Sequence, residues 1–196
     1  VADGAHRTSA TANWREDERL LERIRARDLQ AFEILYRSYR SRLTRFVINI
    51  VRRPQLVEEV FNDTMLVVWN RPDSFNGGSK LSTWIFAIAY RKALKALQRR
   101  DDPVSDPEAE QRPSPDPTPE QWMEQHDRQK MLTKALAGLS PDHRTVVDLT
   151  YFHEMGYKEI AEIMNCPVDT VKTRMFHARR HLRKLLDPML SDSIGA

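Results

Sequence analysis

Six cations fall within fifteen residues. From Thr170 to Lys184 the chain carries Lys172, Arg174, Arg179, Arg180, Arg183 and Lys184 and no acid. A run of this kind neutralises phosphates. At the front of a helix, Arg and Lys also reach guanine edges, and Thr reaches either base or phosphate. Val171, Met175, Ala178 and Leu182 recur at three- and four-residue steps and form the stripe such a helix would bury. That leaves Thr170, Lys172, Thr173, Arg174, Phe176, His177, Arg179 and Arg180 as candidate contacts to duplex nucleic acid. His177 and His181 are four apart, a spacing that can hold a metal, with His153 and Cys166 as further ligands. Groove-facing or packed imidazoles are the stronger reading, so neither a metal nor a cofactor is expected. Cys166 beside Pro167 reads as an inert thiol rather than a redox sensor. No dinucleotide fingerprint, phosphate-binding Walker loop or HExxH motif is present, and Gly77-Gly78-Ser79-Lys80 has the wrong order for the second. No catalytic residue is assigned.

The elements that must position the cations are legible upstream. Ser140-Pro141-Asp142 is a helix start, with Ser as cap, Pro at the first helical position and an acid in the first turn. A short helix follows from Tyr157 to Met164, and Asn165-Cys166-Pro167 breaks it. Asn tolerates the left-handed conformation that a tight helix exit needs. A longer helix starts near Val168 and runs through Leu186. Short helix, tight turn and long helix, with small Ala161 at the crossing, predict a helix-turn-helix. A plain basic surface helix lacks that turn and those caps.

The N-terminal half is helical too. Leu29, Phe32, Leu35, Tyr36, Tyr39, Leu43, Phe46, Val47 and Ile50 form one stripe. Pro54 separates it from Leu56, Val57, Val60, Phe61, Met65, Val68 and Trp69, which Pro72 stops. Asn76-Gly77-Gly78-Ser79 is a turn signal. A third helix, from about Ser82 to Arg100, is apolar first and basic later. No segment alternates with period two for long enough to be a strand.

Charge divides the chain. Residues 14–100 carry a net +8, residues 101–127 a net −8 and residues 128–196 a net +3. Six of the eleven prolines lie in 101–120. That density removes backbone donors and favours extended geometry, and almost no large apolar residue is there to build a core. The expected architecture is therefore all-α. Two small helical domains, 14–100 and 121–188, are joined by a flexible acidic Pro-rich linker, 101–120, and the second carries the helix-turn-helix. Residues 1–13 are expected to be a disordered tail without a signal peptide, and 189–196 a C-terminal tail. One cysteine excludes a disulfide framework, and no apolar run reaches the ~18 residues of a membrane span. A reducing cytoplasm is the expected compartment, with no membrane insertion.

In these residues the sequence resembles the extracytoplasmic-function (ECF) sigma factors of bacterial RNA polymerase. Leu139-Ser140-Pro141-Asp142-His143-Arg144, Tyr157-Lys158-Glu159-Ile160-Ala161 and Pro167-Val168-Asp169-Thr170-Val171-Lys172-Thr173-Arg174 are similar to the family's region 4. Asn165 stands at the turn's usual Gly, and Gly156 replaces the usual Ser or Thr cap. Glu58-Glu59-Val60-Phe61-Asn62-Asp63-Thr64-Met65 followed by Trp69 resembles region 2.2. Phe75, Gly78-Ser79-Lys80, Thr83-Trp84-Ile85 and Ile88-Ala89 resemble regions 2.3 and 2.4, with Arg91 where Asn is frequent.

The resemblance implies a chain that binds core RNA polymerase, opens promoters and starts transcription under an anti-sigma partner. Glu58, Glu59, Asn62 and Asp63 would then meet the β′ clamp helices, with the β flap as a second contact. The basic helix would read the −35 element. Phe75, Asn76, Ser79, Lys80, Arg91, Lys95 and Arg99 would hold the −10 element. Extruding a base costs a few kcal/mol, and a stacked base returns about 1–3 kcal/mol, so loop 75–81 is expected to carry one unstacked base. The acidic linker would thread a channel built for nucleic acid, or act as a plain tether. A conventional regulator with the same helix-turn-helix would need a receiver or ligand domain, which 14–100 does not resemble.

Overall fold

The computed structural model describes the backbone of residues 4–99 and 135–192, and the side chains of residues 15–99 and 135–186. The expected linker, 101–120, and the start of the second domain, 121–134, lie outside the described residues. Within them the regular elements are all helical. The first domain holds α1 (Gly4–Arg25), α2 (Leu29–Val51), α3 (Pro54–Asn70), a 3₁₀ turn (Pro72–Ser74) and α4 (Leu81–Gln98). The second holds α5 (Pro141–Tyr151), α6 (Tyr157–Met164) and α7 (Val168–Asp192).

Helix α1 corrects the expectation of a disordered tail over 1–13, since its backbone is helical from Gly4. Leu20, Leu21 and Ile24 anchor its far end in the core. Once that end is fixed, each further residue adds a hydrogen bond without a new nucleus, and Ala5, Ala10 and Ala12 are the best helix formers. Asp17 is buried with α1 and accepts a 2.5 Å hydrogen bond from the Tyr39 hydroxyl. Burial raises its carboxyl above the usual range, against the opposing effect of that hydroxyl.

The ends of α2 are set locally. The Asp28 carboxylate accepts from the backbone N–H of Gln30 (2.9 Å) and Ala31 (3.2 Å). Arg52 enters the left-handed region at φ 51° and its N–H bonds back to the Ile48 carbonyl. Pro54 then opens α3 at its first turn. The stripe from Leu35 to Ile50 is buried as expected, but Leu29 is exposed and stands outside the core. Tyr39, Phe46, Phe61, Met65, Ile85 and Phe86 fill the bundle centre.

Eight of the first ten residues of α4 are buried, on all sides of the helix. A helix apolar all round needs neighbours all round. Here α1, α2 and α3 cover part of it and α6 of the second domain covers the rest. The two domains are therefore packed together, α6 on α4 and α5 on α2. In the second domain, α7 extends to Asp192 rather than ending near Leu186, so 189–192 are not tail. Pro188 removes the bond to the Lys184 carbonyl and crowds that carbonyl, yet the helix continues past it after twenty helical residues.

Candidate nucleic-acid interface

The turn between α6 and α7 is built from backbone chemistry. The Gly156 N–H donates to the Glu159 carboxylate at 2.9 Å, which caps α6. Ile160, Ala161, Ile163 and Met164 are buried. Asn165 closes α6 at φ 50°, ψ 53°, and the Cys166 N–H reaches the Ala161 carbonyl at 3.0 Å. Pro167 accepts from the Thr170 N–H at 3.0 Å and starts α7. Val171, Met175 and Ala178 then seat α7 against α5 and α6.

That seating turns the predicted contacts outward. Lys172, Thr173, Phe176, His177, Arg179 and Arg180 are exposed, and Thr170 is half-buried. Two of the cations are held by neighbours. Arg174 forms a 2.5 Å ion pair with Asp142, and Arg179 donates to the Tyr151 hydroxyl at 3.1 Å. Lys172 is tethered to Asp169 at 2.9 Å, and this hydrogen bond raises its ammonium's pKa.

The predicted −10 residues sit around the α3–α4 loop. Asn76 accepts from the Gly78 N–H at 2.9 Å, across Gly77 at φ 73°. Arg91, Lys95 and Arg99 are exposed along one face of α4. Phe75, placed among the −10 contacts, is buried. Its ring is buried against Trp84, 5.6 Å between centroids, and its carbonyl accepts from Arg25 at 2.9 Å. An apolar ring beside a core indole gains more from burial than from water, so Phe75 fixes the loop rather than lining its surface. Ser79 is half-buried, and Lys80 pairs with Glu159 of α6 at 2.9 Å.

Glu58, Glu59, Asn62 and Asp63 share the outer face of α3. Glu58 pairs with Arg40 at 2.9 Å, Asn62 accepts from the Tyr36 hydroxyl at 3.0 Å and Asp63 pairs with Lys92 at 3.0 Å.

The residues that join the domains were missed in the sequence. Asn49 donates to Asp148 at 2.6 Å, and Arg144 donates to the Asn49 carbonyl at 2.5 Å. His153 is buried between Phe46 and Phe86, at 5.9 and 4.8 Å between ring centroids. Its Nε2 lies 3.4 Å from Asp148 Oδ2, and neither atom has a hydrogen-bond partner. Arg45 stacks over Phe152 at 4.3 Å. Tyr90 of α4 reaches Asp142 at 3.4 Å, and burial with that carboxylate pushes its phenol up to about 12. Glu159 and Asp142 therefore hold cations from both predicted DNA sites. Among the described residues no three histidine, cysteine or carboxylate side chains come together as metal ligands, so His153, Cys166, His177 and His181 do not form such a group, whereas His143 does approach His177.

The sequence matches the family described as Sigma-70 region 2 over residues 35–102, and that described as Sigma-70, region 4 over residues 129–182. Together they span more than half of the chain, which belongs to the sigma-70 family of transcription initiation factors. The RNA polymerase sigma-H factor of Pseudomonas aeruginosa is 28% identical over 91% of this chain and 97% of its own length. The ECF RNA polymerase sigma-E factor of Escherichia coli K12 is 29% identical over 89% and 96%. Within that family the chain is an ECF sigma factor. Among solved structures, the sigma factor RpoE of Bartonella quintana, in complex with the anti-sigma factor NepR, superposes with a TM-score of 0.66 at 25% identity. It covers 81% of this chain and 98% of that one. CnrH, in complex with the cytosolic domain of CnrY, shares the fold at a TM-score of 0.65 and 22% identity, over 88% and 98%.

Proposed function

We propose that this chain binds core RNA polymerase and directs it to promoters by gripping two DNA elements with its two domains. The carrying observation is a helix-turn-helix whose second helix, from Thr170 to Lys184, exposes cations, hydroxyls and aromatics and no acid, on one chain with a bundle whose α3 face is acidic. In this reading Thr170, Lys172, Thr173, Arg174, Phe176, His177, Arg179 and Arg180 meet the −35 duplex. Asn76, Ser79 and Lys80, with Arg91, Lys95 and Arg99, hold the −10 strand over the floor that Phe75 provides. Glu58, Glu59, Asn62 and Asp63 dock on the β′ clamp helices, and the second domain engages the β flap.

The packed arrangement is the resting form. Lys80 and Arg174 are both neutralised by carboxylates in it, so promoter binding requires Glu159 and Asp142 to release them. An anti-sigma partner would hold the chain in a form of this kind, since the relative RpoE of Bartonella quintana is bound by the anti-sigma factor NepR. The chain performs no chemistry itself and works in the cytoplasm. Among the described residues no helix is long and apolar enough to cross a membrane. Run-off transcription tests the proposal: purified core polymerase with this chain alone should give transcripts from defined start sites, and random initiation only would reject it.

A further inference from the structure

A cavity of about 260 Å³ opens between the start of α5 and the middle of α7. Its lining among the described residues is entirely basic: His143, His177, Arg180, His181 and Lys184. His177, His181 and Lys184 follow one another at four- and three-residue steps along α7, so they share a face, and Arg180 flanks them. His143 supplies the opposite wall, its ring centroid 6.1 Å from that of His177. Gly138 lies against the same group. A Cβ there would come within 3.6 Å of the His181 ring and 3.3 Å of Leu185.

The electrostatics are one-sided. Asp142 is the carboxylate acting on His143, and it is already paired with Arg174 at 2.5 Å. Burial first, then His177, and also Arg174 and His181, press His143 toward its neutral form, and Asp142 only partly opposes them. Two permanent cations, Arg180 and Lys184, share the cavity. They disfavour a divalent metal despite three imidazoles, and they favour an anion.

We propose that this cavity binds a phosphate group, and that binding is coupled to proton uptake by His143, His177 and His181. An anion among three imidazoles stabilises each protonated form. By linkage, affinity for an anion of fixed charge, such as the phosphodiester of a duplex, therefore rises as pH falls. Phosphate reaches this position from two sources, the backbone of a duplex lying on α7 or a free phosphorylated solute. Only the first rests on the reading of α7 as a DNA-binding helix.

The test is a titration of the full chain between about pH 5.5 and 8, read by histidine ring signals in NMR, in chloride and in inorganic phosphate at matched ionic strength. Phosphate should raise the titration midpoints of His143, His177 and His181 by about half a unit or more, and leave buried His153 unmoved. Lys184→Gln should shrink the shift. Equal midpoints in the two salts, or the same shift at His153, overturn the proposal. A second arm measures duplex DNA binding at pH 6 and pH 8. Tighter binding at the lower pH that flattens in His143→Gln with His181→Gln assigns the phosphate to DNA. Phosphate-dependent midpoints with pH-independent DNA binding assign it to a free solute. Lys172→Ala keeps the two readings apart: if it leaves DNA binding untouched, the role of α7 fails while the phosphate shifts stand.

Discussion

Replacing His153 with Ala should open the packed domains. The ring is 3% exposed and packs edge-on against Phe46 and Phe86 of the other domain. Each aromatic pair contributes about 0.5–1.5 kcal/mol beyond its burial. With the cavity left behind, the variant should lose about 3 kcal/mol of domain packing, which is about a hundredfold in the closed-to-open ratio. The nearby Lys80–Glu159 pair offers a contrast. Its lysine is 59% exposed, so breaking it with Lys80→Ala should change that ratio by less than about fivefold. Förster transfer checks both, with dyes on cysteines introduced at exposed Arg19 and Arg183, one in each domain, in a Cys166→Ser background. His153→Ala should shift most molecules to low transfer while helical circular dichroism is retained. If the variant stays folded with transfer unchanged, aromatic packing at His153 does not hold the domains together and the argument fails. If Lys80→Ala opens the chain as far, the ion pair has been undervalued.

Three further outcomes are expected. Asp17 binds its proton more tightly folded than unfolded, so its favourable contribution is complete below the ordinary value of 3.8 and is lost as pH rises through the raised one. Asp17→Asn keeps an acceptor for Tyr39 and cannot ionise, so in urea melts its stability relative to the parent should grow between about pH 4 and pH 7. Asn165→Val forces a β-branched residue into φ 50° and should lower the unfolding free energy by about 1–2 kcal/mol, whereas Asn165→Gly should be close to neutral. Lys172→Ala should shallow the logarithmic salt dependence of duplex binding by about 0.9 if that lysine neutralises one phosphate.

Features set within a few residues were the legible ones. Ser140 caps α5 through the His143 N–H at 3.3 Å, Pro54 opens α3 and Asn165 takes the left-handed turn, each as its own type requires. The exposed cations of α7 followed from the apolar stripe opposite them. What failed depended on distant partners. Polar composition over 1–13 hid a helix that is anchored from Leu20 onward. Phe75 stood among the surface contacts because nothing local reveals that Trp84 covers it. Asn49 and Asp148 are 99 residues apart, and no periodicity links them. The all-round burial of α4 was visible as an apolar run, but its cause, a second domain on its outer side, was not.

The pairing of Lys80 with Glu159 also bears on heredity. Each half of this chain contributes one member of a fitted couple, and so do Asn49 with Asp148 and Tyr90 with Asp142. Grafting either half onto a cousin's counterpart would separate these mates, even if each half folded faultlessly. Hybrids should therefore lose the quiescent posture before they lose the ability to recognise a gene's start, and drift at one member of a couple should be answered by drift at the other.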